Sequence, residues 1–459
     1  MKISLTLPEA LAQDLAEQAA LPVETAGVLL AGLARHNDGL RLLGRELHWV
    51  PEDQYAIRKG DRLSIRSGGY TRALRRAEEI GAVAVWLHTH PGGWPTNSVW
   101  DDQVDAELAP VFAVRTSQSF FASLVLSPSE VGPFDFSGRV YLDDDVQPIF
   151  RAWLVGTRFR LLTAVDTPAA DQTPALFDRQ VRAFGGDVQD VLRGLRVAVV
   201  GAGGTGSAVA EQLARLGVGD LLLVDPDVME DTNLTRVYGS SPTAIGQPKA
   251  EVLAKHIAAI APNVTVRSII GRTTEHEVAA ALTDRDLVFG CSDDNAGRLI
   301  LSRLTSYYLI PVIDCGVLLS SRKGTLLGID GRITVLAPGY PCLVCRNRID
   351  MARAAAEQLN PQERQQRQDE GYAPELGQVE PAVVAYTTLV ASLAVGEMLE
   401  RLTGYGPVPA PSELIVRAHE REISTNNRQP RLDHFCDPAA KQLGSGDQNP
   451  FLGTTWRFA

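Results

Sequence analysis

Two histidines near the start of the chain have the type and spacing that can bind a catalytic metal. His88 and His90 follow the apolar run 83–87, which predicts a buried strand, and the two-residue period of a strand places both imidazoles on one face at its end. Asp101 follows at the start of a helical pattern and offers a carboxylate. Two nitrogens and one carboxylate leave one tetrahedral position on Zn²⁺ for water, whose pKa the ion lowers to about 7. The pattern therefore predicts a zinc hydrolase site.

Two further side chains would complete such a site. Glu24, on an apolar segment upstream, would accept a proton from the metal-bound water, and Ser98 supplies a hydroxyl on the helix face of Asp101. Taken singly, Ser-x-x-Asp is a helix capping box and His-x-His is often an ordinary pair at a strand edge. The full set in this order resembles the JAMM (MPN-plus) metallopeptidases over about residues 1–145. That family hydrolyses isopeptide or peptide bonds at the C-terminus of ubiquitin and ubiquitin-like proteins. The resemblance implies three zinc ligands, a general base and an oxyanion donor: His88, His90 and Asp101, then Glu24, then Ser98.

A glycine-rich turn marks a second centre. The apolar strand pattern 195–200 runs into Gly201, Gly203, Gly204 and Gly206, and a helical pattern follows. Glycines let the backbone approach a phosphate closely, and the helix N-terminus offers N–H groups with partial positive charge. Alone, this Gly-x-Gly-x-x-Gly pattern fits an NAD-binding dehydrogenase equally well.

Polar residues downstream of the turn favour ATP. Asp225 follows the next strand, where a carboxylate can bind ribose hydroxyls. Arg236 and Lys249 supply positive charge for a triphosphate, with Asn233 as a polar donor beside it. Asp293, at a later strand end, offers a carboxylate for Mg²⁺. Because hydride transfer does not need this basic cluster, the pattern predicts a nucleotidyl-transfer site.

Together with Arg179 in the segment 177–182, these residues resemble the ThiF/MoeB/E1 adenylating family of the bacterial type, over about residues 176–437. The resemblance implies a Rossmann-like domain with a mainly parallel sheet. The implied reaction is attack of the C-terminal carboxylate of a ubiquitin-like protein on the α-phosphate of ATP. Arg179 would complete the site and commonly comes from the other subunit in that family, which implies a homodimer. The residues assigned to nucleotide and Mg²⁺ are Gly201, Gly203, Gly204, Gly206, Asp225, Asp227, Asn233, Arg236, Lys249 and Asp293.

Two features depart from that family. Members that transfer the activated glycine to their own cysteine usually carry it in a crossover segment, but residues 370–381 contain none. Thioester formation therefore stays open: the adenylate could pass to an outside nucleophile or to another thiol of the chain. Cys315 is the nearest alternative, but its position at a strand end favours a buried structural thiol. The family's structural zinc uses two Cys-x-x-Cys pairs, whereas this chain has one pair and a His-x-Cys further on. These could form a Cys₃His zinc site, although a single Cys-x-x-Cys can also be redox-active or empty. The four residues are Cys342, Cys345, His434 and Cys436.

The composition is that of a large globular protein with more than one domain. With 459 residues, 45% of them hydrophobic and 22% charged, the chain can bury two or three cores. The patterns divide it into a JAMM domain with a cytidine-deaminase-like α/β fold (1–165), a proline-containing linker (166–175), the adenylation domain (176–437) and a tail (438–459). Residues 1–5 are predicted to lead directly into an amphipathic helix.

Charge and hydropathy limit the partners. A net charge of −11 argues against nucleic acid or an anionic membrane. The apolar segment 381–396 is shorter than the roughly 18 residues of a membrane span and predicts a buried helix. The chain opens without a secretory pattern and has an odd number of cysteines, five. We therefore expect a cytoplasmic protein with reduced or metal-bound thiols.

Two opposed activities on one chain suggest ordered processing of a small β-grasp, ubiquitin-like protein. The peptidase would expose a terminal glycine, the adenylating domain would activate it, and an E2-like enzyme could take it onward. Removal of the modifier from conjugates is the competing function. Activation of a sulfur-carrier protein, with release of a cysteine adduct, is the alternative class, and a non-enzymatic scaffold would require both sites to be dead. The sequence leaves open the partner, the acceptor and the biological process.

Overall fold

The computed structural model describes residues 1–36, 39–142, 145–168, 174–369 and 381–456. The chain divides into two compact units. Unit 1 comprises residues 1–170, 307–309 and 441–452, and unit 2 comprises residues 171–306, 310–440 and 453–459. The middle of the predicted linker (169–173) and nearly all of the cysteine-free crossover segment (370–380) lie outside the described residues.

Unit 1 is built on an eight-stranded sheet in the order β1-β3-β2-β6-β7-β8-β9-β10, in which β1 also pairs with β9. Three helices accompany it: α1 (Glu9–Ala19), α2 (Gly68–Ile80) and α3 (Val99–Thr116). A separate hairpin is formed by β4 and β5. The strands are β1 (Lys2–Pro8), β2 (Ala26–His36), β3 (Gly39–Trp49), β4 (Tyr55–Arg58), β5 (Leu63–Ile65), β6 (Val83–Thr89), β7 (Phe120–Ser127), β8 (Asp135–Leu142), β9 (Asp145–Val155) and β10 (Phe159–Thr163).

The first residues correct one prediction. We expected them to lead directly into a helix, but a seven-residue strand, β1, precedes α1. Ile3, Leu5 and Leu7 alternate along β1 and are at most 2% exposed. This two-residue period places one apolar face of β1 in the core of unit 1, and pairing with β3 and β9 satisfies its backbone on both sides.

Unit 2 carries a second eight-stranded sheet in the order β13-β12-β11-β14-β15-β16-β17-β18. The first five strands are parallel and the last three are added antiparallel. The order runs outward from β11 in both directions, which makes the carboxyl ends of β11 and β14 a topological switch point, where α/β sheets bind ligands. The strands are β11 (Arg196–Val200), β12 (Asp220–Val224), β13 (Thr265–Ile269), β14 (Leu287–Gly290), β15 (Val312–Arg322), β16 (Thr325–Leu336), β17 (Glu413–Arg417) and β18 (Glu422–Thr425).

Helices cover this sheet, and the predicted mixed α/β, Rossmann-like class is confirmed for this part of the chain. The segment predicted as a buried helix forms α12, whose inward residues include Val390, Ala394 and Met398. No helix among the described residues is long and apolar enough to cross a membrane. The helices are α4 (Asp178–Phe184), α5 (Gly186–Gly194), α6 (Gly204–Leu216), α7 (Lys249–Ile260), α8 (His276–Ala281), α9 (Asn295–Tyr308), α10 (Met351–Glu357), α11 (Pro361–Asp369) and α12 (Val384–Thr403).

A buried carboxylate joins the antiparallel strands of unit 2. Glu413, 1% exposed, accepts hydrogen bonds from Arg348 at 2.9 and 3.0 Å, from Asn426 at 2.6 Å and from Thr334 at 2.9 Å. Burial alone would raise the pKa of Glu413, but these donors, Arg348 foremost, lower it to about 2. The carboxylate is therefore ionised at neutral pH and stabilises the β16–β17 pair.

Candidate functional sites

The glycine-rich turn lies between β11 and α6 and has a shape that only glycine permits at two positions. Gly201 has a φ of +95°, and a Cβ there would lie 2.8 Å from the carbonyl carbon of Cys291. A Cβ on Gly206 would lie 1.7 Å from the Gly201 carbonyl oxygen. A Cβ on Gly203 would meet nothing within 4 Å. The turn is thus tight at its ends and open at Gly203, which leaves the first N–H groups of α6 accessible to an anion.

Asp225, at the end of β12, is hydrogen-bonded to the backbone of this turn. It is 5% exposed, and its carboxylate accepts hydrogen bonds from the backbone N–H of Ala202 at 2.6 Å and of Asp227 at 2.8 Å. Burial raises the pKa of Asp225, while these two hydrogen bonds oppose the rise. Sequence reasoning predicted a ribose contact for Asp225 and missed this second role, in which the carboxylate fixes the turn. Each oxygen retains a lone pair for a ribose hydroxyl.

The predicted basic residues differ in their surroundings. The Arg236 side chain passes beside the turn, with Cδ 3.4 Å from the position of a Cβ on Gly204, and its guanidinium donates to the Thr232 carbonyl at 2.6 Å. Lys249, at the start of α7, lies 3.0 Å from the Asp227 carboxylate. Asp227, predicted as a nucleotide contact, is therefore ion-paired with one of the predicted phosphate contacts.

Asn233 and Asp293 are two further residues that were predicted to contribute to the site at the glycine turn. Asn233 is 3% exposed and its side-chain oxygen accepts from the Glu230 N–H at 3.0 Å, so it stabilises the loop that carries Arg236. Asp293 is exposed just beyond β14. The Cys291 N–H donates to the Val200 carbonyl at 2.7 Å, which aligns the segment leading to Asp293 with the end of β11.

Arg179 lies exposed on α4, and within the described part of the chain no hydrogen bond or ion pair links it to the glycine turn. A further cation, not predicted from the sequence, lies near the site. Arg298 on α9 pairs with the buried Asp314, with Nε and Oδ1 3.2 Å apart. Burial lowers the pKa of Arg298, but Asp314 and the acidic residues that precede α9 raise it above its ordinary value. Its position five residues after Asp293 was the available signal.

In unit 1 the predicted metal ligands converge. The Nε2 atoms of His88 and His90 lie 3.0 Å apart, and the two carboxylate oxygens of Asp101 lie 3.1 Å from His88 Nε2 and 3.5 Å from His90 Nε2. Nitrogens that share a tetrahedral Zn²⁺ at about 2.0–2.1 Å lie roughly 3.3 Å apart. The donor set therefore fits zinc in both type and spacing. Burial raises the pKa of Asp101, but hydrogen bonds from the two imidazoles outweigh burial and lower it.

Glu24 reaches this cluster through strand register. Strands β2 and β6 are antiparallel with Ala26 opposite His88, and the Thr89 N–H donates to the Thr25 carbonyl at 2.9 Å. Continuing the register by two residues places Glu24 opposite His90. Burial raises the pKa of Glu24, and the two imidazoles oppose the rise. A carboxyl group with a raised pKa beside a metal-binding cluster has the character of a proton acceptor.

Ser98 and Asp101 form a helix capping box, which is compatible with the predicted metal-ligand role of Asp101. Ser98 is the N-cap of α3: its Oγ accepts from the Asp101 N–H at 3.2 Å, and its own N–H donates to Asp101 Oδ2 at 2.6 Å. The cap fixes the Asp101 carboxylate where it meets the histidines. The exposed Ser98 hydroxyl accepts this bond and can still donate its hydrogen.

A further buried carboxylate lies one turn along α3 and was missed by the sequence analysis. Asp105 is 1% exposed and accepts hydrogen bonds from Ser123 at 2.6 Å, Tyr141 at 2.8 Å and Asn97 at 3.4 Å. Burial raises the pKa of Asp105 against these donors. The network ties the start of α3 to β7 and β8. The only signal in the sequence was an acidic residue on the apolar face of a helix.

The four residues predicted as a second metal site also lie together. Their ligand atoms all fall within 4.8 Å of one another. His434 Nδ1 lies 3.2 Å from Cys436 Sγ, 3.5 Å from Cys345 Sγ and 3.7 Å from Cys342 Sγ, and the sulfurs of Cys345 and Cys436 are 3.5 Å apart. Sulfurs bound to one zinc at about 2.3 Å lie roughly 3.8 Å apart. This arrangement fits a Cys₃His zinc site and replaces the second Cys-x-x-Cys pair.

The sequence pattern of the ThiF family matches residues 177–435, more than half of the chain. This protein belongs to the ThiF family. Its ThiF part is 29% identical over 251 residues to the molybdopterin-synthase adenylyltransferase of Escherichia coli, covering 54% of this chain and 89% of that relative. The match shows that residues 177–435 form an E1-like adenylyltransferase domain, and the use of ATP fits such a domain.

Two other ThiF relatives carry different names. The SAMP-activating enzyme E1 of Haloferax volcanii is 33% identical over 161 residues, covering 35% of this chain and 56% of that protein. The adenylyltransferase and sulfurtransferase UBA4 of Meyerozyma guilliermondii is 30% identical over 155 residues, with 34% of each chain covered. The chain thus spans about half of one and a third of the other. The matched ThiF residues begin at 177, so the JAMM assignment of residues 1–165 stays a prediction.

Proposed function

We propose that the ThiF domain activates the C-terminal carboxylate of a small sulfur-carrier or ubiquitin-like protein by adenylation. The observation that carries this proposal is the glycine turn at the switch point of the sheet, which is closed at Gly201 and Gly206 and open at Gly203. The names of the three relatives supply the substrate class. No cysteine occurs in residues 370–381, and one relative's name joins adenylyl transfer to sulfur transfer. We therefore favour a sulfur carrier over a modifier that passes through an enzyme thioester and an E2-like partner.

The reaction needs positioning and charge neutralisation more than proton transfer. A carboxylate oxygen of the substrate attacks the α-phosphorus of ATP, the new C–O–P anhydride forms, and the bond to pyrophosphate breaks. Arg236 and Lys249 would balance the charge of the leaving pyrophosphate, and Lys249 must exchange its partner Asp227 for phosphate. Asp293 would hold Mg²⁺, which when bound neutralises phosphate charge.

ATP–pyrophosphate exchange with candidate small proteins ending in glycine tests this function. We expect exchange with the wild type, its loss in Asp293→Ala, and its retention in Glu24→Ala, which is the matched carboxylate control in the other unit. Loss of exchange in both variants would point to unfolding, and full activity of Asp293→Ala would exclude Asp293 from the site.

Arg179 leads to a proposal about assembly. Because it is exposed and makes no described contact with the glycine turn of its own chain, we infer that it serves the site of a second copy in a homodimer. A mixture of inactive Arg179→Ala and inactive Asp293→Ala chains should then recover exchange, since a mixed dimer contains one complete site. A mixture without activity, or a monomer in analytical ultracentrifugation, would contradict the inference.

A second function is favoured by the convergence of His88, His90 and Asp101. We propose that unit 1 is a zinc peptidase that cleaves after the terminal glycine of the same small protein. Zinc, when bound by the three ligands, supplies an acidified water. Glu24 would accept the proton of that water and later protonate the leaving amine, and the Ser98 hydroxyl would donate to the oxyanion.

Cleavage assays separate the two uses of such a peptidase. A precursor with residues beyond the glycine tests trimming, and an isopeptide conjugate tests removal of the modifier. We expect faster cleavage of the precursor, complete loss in Glu24→Ala, and normal cleavage in Asp293→Ala. Cleavage that survives in Glu24→Ala would reject the role of the general base, and faster cleavage of the conjugate would reject trimming.

A further inference from the structure

Two cysteines lie side by side at the strand ends that carry the adenylating centre. Strands β14 and β15 are parallel neighbours with Gly290 opposite Asp314, so the next pair in the register is Cys291 opposite Cys315. Neighbouring strands lie about 4.7–4.9 Å apart, and side chains opposite each other in this register leave on the same face. Both cysteines are free. The pair is a vicinal dithiol formed by the sheet itself.

The two thiols differ in access and in mobility. Cys315 is 4% exposed, whereas Cys291 is partly exposed. Arg298 donates to the backbone carbonyl of Cys315 at 3.3 Å and pairs with the neighbouring Asp314, so the Cys315 backbone is held in place. An oxidant from solvent therefore meets Cys291 first, and Cys315 is positioned to resolve the product.

Cys291 is packed directly against the glycine turn. A Cβ on Gly201 would lie 2.8 Å from its carbonyl carbon, and a Cβ on Gly206 would lie 3.2 Å from its Cβ. Its N–H donates to the Val200 carbonyl at 2.7 Å. A displacement of Cys291 toward Cys315 is therefore transmitted to the turn and to Asp293, two residues further on.

We propose that Cys291 and Cys315 form a redox-modification site that disables the adenylating centre when it is oxidised. A hydroperoxide oxidises Cys291 to the sulfenic acid and leaves as an alcohol or water. The Cys315 thiol then attacks that sulfur, the S–S bond forms, and the sulfenic oxygen leaves as a second water. Two electrons pass from the dithiol to the peroxide, and a thiol reductant reverses the step.

Disulfide geometry explains the loss of function. The bond holds two Cβ atoms about 3.5–4.5 Å apart, closer than residues opposite each other on neighbouring strands. Forming the disulfide moves Cys291 toward Cys315 and away from Gly201 and Gly206, against which Cys291 is closely packed.

The test compares reduced and peroxide-treated full-length chain. Peptide mapping without reductant should find the Cys291–Cys315 disulfide, and hydrogen exchange at residues 201–206 should speed up on oxidation and recover with a phosphine reductant. The affinity for a fluorescent ATP analogue should fall roughly tenfold, as expected for the loss of one or two charged hydrogen bonds. Cys315→Ala, with Cys315→Ser as a second variant, cannot form the disulfide. In both variants peroxide should change neither the hydrogen exchange of residues 201–206 nor the affinity for the ATP analogue.

The outcomes separate this inference from the proposed function. Failure of the reduced wild type to bind nucleotide would reject adenylation, on which the affinity readout rests, but peptide mapping and hydrogen exchange would still decide the dithiol. The inference is overturned if the disulfide does not form, or if it forms without changing the hydrogen exchange of residues 201–206. It is also overturned if Cys315→Ala responds to peroxide as the wild type does, because the effect would then lie elsewhere, for example at Cys345.

Discussion

Alanine at Gly206 should unfold the glycine turn, and the expected cost follows from its geometry. The new Cβ would lie 1.7 Å from the Gly201 carbonyl oxygen, whereas real Cβ atoms essentially never approach closer than 3.0 Å. That carbonyl oxygen is part of the backbone, and the Gly201 N–H donates to the Val224 carbonyl at 2.7 Å. Moving the Gly201 backbone aside would therefore strain or break this hydrogen bond. Overpacking of this kind typically costs about 1–3 kcal/mol, and we expect Gly206→Ala to lie at or above the upper end.

Two other glycine-to-alanine variants serve as matched controls for Gly206→Ala. Gly396, inside α12, would place its Cβ in open space, so Gly396→Ala should stabilise the chain by about 0.5–1 kcal/mol through helix propensity. Gly203→Ala should leave stability nearly unchanged but weaken ATP binding about tenfold or more, because its methyl group enters the space open to phosphate.

Urea unfolding of the four chains gives the free energies, and calorimetric titration with Mg²⁺-ATP gives the affinities. Equal stability of Gly206→Ala and Gly396→Ala would refute the close packing of the turn. Wild-type affinity in Gly203→Ala would refute the approach of phosphate at that position.

Three further predictions test the other groups. Arg236→Ala should raise the Kd for ATP in calorimetry without lowering the unfolding midpoint, and a lower midpoint would assign Arg236 a structural role. Elemental analysis should find about one zinc equivalent fewer in His90→Ala and one fewer in Cys345→Ser, with a lower Tm only in Cys345→Ser; equal zinc in all chains would contradict both sites. Glu413→Gln should cost about 3 kcal/mol at pH 7, the lower end for a buried ion pair, because it leaves the partly exposed Arg348 and the fully buried Arg346 without their partner charge. Since the folded pKa of Glu413 is about 2 against an ordinary 4.5, this difference should persist above about pH 4.5 and shrink as the pH falls toward 2. A difference that does not change with pH in acid unfolding curves would refute the ionic origin.

Local patterns identified the candidate residues of both centres, because each set lies at the end of one element. A strand followed by Gly201 to Gly206 and a helix predicts a phosphate turn, and a His-x-His at a strand end places two imidazoles on one face, both by the period of a single element. The same local logic predicted a buried helix over residues 381–396, and α12 spans Val384–Thr403. It predicted the helix that follows the first residues but missed the strand β1 (Lys2–Pro8) before it, because a short amphipathic strand and the first turns of a helix look alike until pairing partners are known.

Contacts between distant segments were decided only by the tertiary structure. Glu24 is placed opposite His90 by the register in which β2 and β6 pair, and a slip of one residue would turn Glu24 to the other face. The fixing of the glycine turn by Asp225 likewise follows from the side-by-side packing of β11 and β12.

What the sequence by itself determined is the chemistry that is available: the nitrogen and carboxylate donors of unit 1, the two thiols of Cys342 and Cys345, and the glycine-rich turn. Tertiary structure decided which of these groups meet. His434 and Cys436 complete the sulfur cluster from about ninety positions away, and Cys291 faces Cys315 across two neighbouring strands. The physical reason is that side-chain periodicity within a helix or strand is fixed by backbone geometry, whereas the pairing of remote segments depends on how the whole core packs.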